Sequence, residues 1–70
     1  MDIKLLMLDA LRKKYEAEIA NAYASALVYF NSAVGIGEHP QFVDELDKLI
    51  NKISSAEESI QTLNKYFTDK

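Results

Sequence analysis

The sequence predicts an all-α protein: a long antiparallel αα-hairpin that dimerises into a four-helix bundle. Three observations carry that expectation. Both glycines and the single proline fall between residues 35 and 40, which leaves two long uninterrupted stretches. Apolar residues recur along both stretches at alternating spacings of three and four, the signature of one face of a helix. The apolar content also exceeds what one helix–helix seam can bury, which points to a further partner.

The first helix is expected over about residues 2–34 of a single 70-residue unit. Asp2 suits the N-cap, where its carboxylate accepts from the free amides of the first turn. Gly35 suits the position after the helix, where the left-handed conformation costs glycine nothing. The turn is expected over 35–39, with Gly37 as a second permissive position. His39 precedes a proline and is thereby pushed out of the helical region. Pro40 opens the second helix, expected over about 40–67, because its missing amide is not needed there. Asp44, Glu45 and Asp47 are expected near the positive end of that helix's dipole.

The periodicity sets a register. In the second helix Phe42, Leu46, Leu49, Ile53, Ala56, Ile60, Leu63 and Phe67 follow the coiled-coil rhythm of four and three throughout. In the first, Leu8, Leu11, Tyr15, Ile19, Ala22, Ala26, Phe30 and Ala33 keep one apolar face at a mean period near 3.6. A short turn forces antiparallel packing, and residues whose numbers sum to about 75 then face each other. Ala33 meets Phe42, Phe30 meets Leu46, Ala26 meets Leu49, Ala22 meets Ile53 and Ile19 meets Ala56. Tyr15, Leu11 and Leu8 meet Ile60, Leu63 and Phe67. Four of these layers set an alanine against a large side chain, which lets the helices interdigitate.

The surplus apolar residues define the candidate site. Between Ala20 and Val34, eleven of fifteen residues are apolar and none is charged, so this part of the helix is expected to be covered on most sides. Tyr23, Leu27, Val28, Phe30 and Val34, with Val43 and Ile50 of the second helix, are the expected oligomer interface. The partner is a second copy, or a helix of another protein. The distal half, with Asp9, Arg12, Lys13, Lys14, Glu16 and Glu18, reads as a solvated helix with local ion pairs such as Lys14–Glu18.

Other classes are disfavoured by composition. The nineteen residues from Ile19 to Gly37 lack charge, which is near membrane-spanning length. Asn21, Ser25, Asn31, Ser32 and an alanine-rich apolar content argue instead for a helix covered by protein, with no membrane. The apolar run Ile3 to Leu8 is too short for a signal peptide, and Asp2 stands where the basic region of one belongs. A cytoplasmic location is expected. There is no cysteine, so disulfides and thiolate chemistry are excluded. A net charge of −3 opposes a non-specific grip on nucleic acid. Arg12, Lys13 and Lys14 form the one short basic cluster that could touch phosphate. His39 is the only side chain that ordinarily titrates near neutrality, and it has no second histidine or helical ligand pair beside it. No cofactor, metal site or catalytic set is expected, and the reading is of a non-enzymatic association module.

One resemblance adds to this. The segment Tyr29-Phe30-Asn31-Ser32-Ala33-Val34-Gly35-Ile36-Gly37-Glu38-His39-Pro40 resembles a motif of short helical-hairpin proteins of T4-like tailed phages. In that motif a helix ends on an aliphatic residue and Gly-Ile-Gly-Glu-His-Pro opens the next. Lys14-Tyr15-Glu16-Ala17-Glu18-Ile19 and Glu45-Leu46-Asp47-Lys48 fit the same pattern. The resemblance implies a phage-encoded accessory protein of the host cytoplasm, without catalytic residues. Because some such proteins are encoded beside the phage recombination helicase, it also raises an accessory role in DNA recombination or repair, acting with a helicase or nucleic acid.

Overall fold

The computed structural model describes residues 2–33 and 40–68; of Ala33 and Pro40 only the backbone is described. Two helices, α1 (Ile3–Ala33) and α2 (Pro40–Tyr66), pack along their length, and no strand occurs among the described residues. The molecule is an all-α helical hairpin. Gly35, Gly37 and His39 of the expected turn, and Val34, lie outside the described residues.

The helix ends follow from local chemistry. Asp2 Oδ1 accepts from the amides of Lys4 at 2.9 Å and Leu5 at 3.4 Å, and the Asp2 carbonyl accepts from Leu6 N at 3.1 Å. Asp2 is therefore the N-cap of α1. At the far end of α2 the Leu63 carbonyl accepts from Phe67 N at 2.9 Å and from the Thr68 hydroxyl at 3.3 Å. Lys65 lies in the last turn, where a cation favours the helix dipole. The first turn of α2 carries no acid, so Asp44, Glu45 and Asp47 begin one turn later than the dipole argument wants. Glu45 instead bonds Lys48 at 3.2 Å.

The seam of α2 is the expected one from Phe42 to Leu63, every member buried or half-buried. The seam of α1 differs. Leu8, Arg12, Tyr15, Ile19, Ala22, Ala26 and Tyr29, all buried or half-buried, form it at spacings of four and three without a break, with Ser25 half-buried beside them. Leu11 is 38% exposed and Phe30 54% exposed, so both leave the seam. Two paired helices supercoil, and the contact line then follows a 3.5-residue period. A face drawn at 3.6 drifts off that line, and the drift is what misplaces Leu11 and Phe30. The expected Phe30–Leu46 and Leu11–Leu63 layers are therefore replaced. Tyr29 sets its ring edge-on to Phe42, with centroids 5.5 Å apart. Arg12 donates to Asn64 Oδ1 at 2.8 Å. Phe67 lies just past α2 and is half exposed, which also removes it from the expected layer with Leu8.

Toward the open end the register is close to the expected one, since Arg12 and Asn64 have numbers summing to 76, whereas the Tyr29 and Phe42 rings reach each other from positions summing to 71, one turn apart in register. The deepest side chains are Ala22, Ala26, Ala56 and Leu63. Three of the four are alanines that were expected to face large residues, in accord with close approach of the two helices. The result is a rod of 55 × 19 × 15 Å. Its radius of gyration is 16.2 Å, against about 11 Å for a compact 70-residue domain.

Candidate association surface

A pair of helices one layer thick has two broad sides, and the sequence makes them different. On one side the groove between the helices is rimmed by polar and charged residues. Glu18, Asn21 and Ser25 of α1 and Lys48, Asn51, Lys52 and Ser55 of α2 line it, over a floor of Ala22 and Leu49, with a volume of about 490 Å³. Counting about 100° per residue from the seam, Tyr23, Leu27 and Phe30 of α1 fall on the other side. So do Val43 and Ile50 of α2, and all five are solvent-exposed. The hairpin thus brings five of the expected interface residues to one face. Val28 is also exposed but lies round the back of α1, away from that face.

A second apolar region occupies the open end of the hairpin. Ile3, Leu5, Leu6 and Met7 of α1 are exposed there, with Tyr66 and Phe67 from the end of α2. The rings of Tyr66 and Phe67 meet edge-on at 6.4 Å. The reading of the distal half as solvated therefore holds only for its middle. The Ile3–Leu8 run carries that signal in the sequence, with five apolar residues in six.

The charged side chains between these regions are tied down locally. Lys13 Nζ is 2.9 Å from Asp9 and Lys14 Nζ 2.7 Å from Glu18, both pairs spanning one helical turn in water. The hydrogen bond to Asp9 raises the Lys13 pKa above the ordinary lysine range, and the Glu18 bond does the same for Lys14. A raised lysine contributes its part of stability below the ordinary lysine pKa and loses it as pH climbs past the folded value, so both pairs are intact at neutral pH. Lys14 Nζ also lies 5.5 Å from the centre of the Tyr15 ring. With Arg12 bonded across the seam, each member of the basic cluster already has a protein partner. Among the described residues no group of three or more His, Cys, Asp or Glu side chains is placed to hold a metal ion. Among the same residues no helix is long and apolar enough to cross a membrane.

The chain matches no family model, no curated protein and no solved structure.

Proposed function

We propose that this protein is a small non-enzymatic helical association module that works as a homo-oligomer, in its simplest form a dimer of hairpins making a four-helix assembly. The proposal includes the setting its sequence resembles, an accessory protein of a tailed phage.

One observation carries the reading: the hairpin alone leaves too much surface wet. Its accessible area is 5552 Å², whereas a compact monomer of 7.9 kDa exposes about 4,400 Å². The excess, about 1,100 Å² per chain, exceeds the roughly 800 Å² that each partner gives to an interface of standard size. Much of the exposed area is apolar, with Tyr23 58%, Val43 66% and Ile50 47% exposed on one side. Burying such side chains returns about 25 cal/mol per Å².

Sedimentation equilibrium over a range of concentrations tests it. The wild-type chain is expected to be a dimer at micromolar concentration. Leu27→Glu, which places a charge on the exposed face without touching the seam, is expected to be monomeric and to melt earlier, because folding and association are linked by mass action. A wild-type chain that stays a folded monomer overturns the reading.

A further inference from the structure

The outer side of α1 carries a second seam. From Ile3 the residues recur by three and four through Leu6, Ala10, Lys13, Ala17 and Ala20. Ala24 and Leu27 continue the same rhythm, so the pattern runs for almost the whole helix. This stripe lies roughly 150° around α1 from the seam with α2, and every one of its residues is exposed in the hairpin. An unbroken 3–4 repeat on the solvent side of a helix is a coiled-coil line without its partner. It passes through Leu27, with Tyr23, Val28 and Phe30 on its flanks, and so takes in most of the α1 residues of the association surface.

We propose that this line is covered by α1 of a second copy of the chain, packed antiparallel about a two-fold axis, with residues whose numbers sum to 37 facing each other. The inference rests on the association reading above and assigns the contact to the outer side of α1, which leaves Val43 and Ile50 of α2 outside it. Its first support is volume. In that register Ala10 faces Leu27 of the second copy, Lys13 faces Ala24, and Ala17 faces Ala20. Over these six symmetric layers no two large side chains meet, and toward the end of the line Leu6 faces Asn31.

The second support is polar complementarity along the flanks. Antiparallel packing sets Glu16 beside Tyr23 of the second copy, a carboxylate against a hydroxyl donor. It sets Lys14 beside Asn21, an ammonium against an amide oxygen, and Met7 beside Val28. Each pair occurs twice by symmetry, and no like charges meet. A parallel arrangement would bring Asp9 near Lys14 of the second copy, but it would stack Lys13 on Lys13 along the contact line itself. Lys13 already bonds Asp9 of its own helix at 2.9 Å, so in the antiparallel form it lies over Ala24 with its charge satisfied. The third support is area, since the excess surface of each chain matches what one side of a stable interface buries.

Disulfide cross-linking tests both the face and the direction, in a chain that has no cysteine of its own. Ala10→Cys and Leu27→Cys chains are mixed under mild oxidation and run without reductant, beside each variant alone. The mixed disulfide is expected to dominate. Ala10→Cys alone is expected to give about tenfold less dimer, because its two introduced thiols would stand about 26 Å apart along the axis, far beyond disulfide reach. A strong Ala10→Cys homodimer overturns the antiparallel direction. A sedimenting wild-type dimer whose variants form no mixed disulfide overturns this face while leaving the association reading standing. A monomeric wild type overturns both.

Discussion

Ala26 is only 4% exposed, at the middle of the seam where the register sets it against Leu49. Replacing it with leucine adds a branched side chain where no space is left. Such insertion into a packed core costs about 1–3 kcal/mol. Helix propensity offsets almost none of that, because leucine ranks just below alanine as a helix former. For a domain of this size the loss corresponds to a melting temperature lower by about 5–20 °C. Thermal unfolding followed by circular dichroism measures it, with variant and wild type at one protein concentration because stability and association are coupled. Ala56→Leu, at 2% exposure, is expected to behave alike from the other helix. A melting temperature that is unchanged or raised in Ala26→Leu would mean that Ala26 does not face α2 at close approach. The seam, and with it the assignment of the two broad sides, would then be wrong.

Two further outcomes follow from single contacts. Asp2→Ala removes the acceptor for the Lys4 and Leu5 amides and is expected to cost about 1 kcal/mol in a thermal melt. Arg12→Leu puts an apolar residue on the seam between Leu8 and Tyr15 and returns Asn64, which is exposed, to water. Its melting temperature is expected to rise, and a fall would show that the Arg12–Asn64 bond holds the open end together.

The two helices are legible in the sequence to different degrees, for a physical reason. In α2 charged and apolar residues segregate, so the line from Phe42 to Leu63 admits one reading. In α1 apolar residues are spread around the helix rather than gathered on one face, and around each turn several residues compete for the seam. Leu11 is more apolar than Arg12, and Phe30 more than Tyr29, yet the structure takes Arg12 and Tyr29. Only the supercoiled partner decides between them, and a single-helix period cannot see a partner. The exposed apolar face is legible at Tyr23, Leu27, Phe30, Val43 and Ile50, because each is a large apolar residue left over once the seam is drawn. Val28 falls in with them because surplus apolar character carries no angle. The open end is harder to see, because Ile3 to Leu8 and Tyr66 to Phe67 are far apart in sequence and come to the same end of the rod only when the hairpin closes.

The alanines at the centre of the rod separate depth from strength. Three of the four side chains most completely out of water are alanines, and of the large seam residues only Leu63 joins them while the others stay half wet. The layers differ in the length of chain that each one closes. Tyr29 and Phe42 are thirteen residues apart and meet early, whereas Arg12 and Asn64 are 52 apart. Each layer closed next to the turn shortens the loop left for the one beyond it. The hairpin is in effect a zipper, with its slider at the turn and its teeth parting first at the free ends. Those ends carry Ile3, Leu6, Met7 and Tyr66, so a partner that covers them also pins the zipper shut.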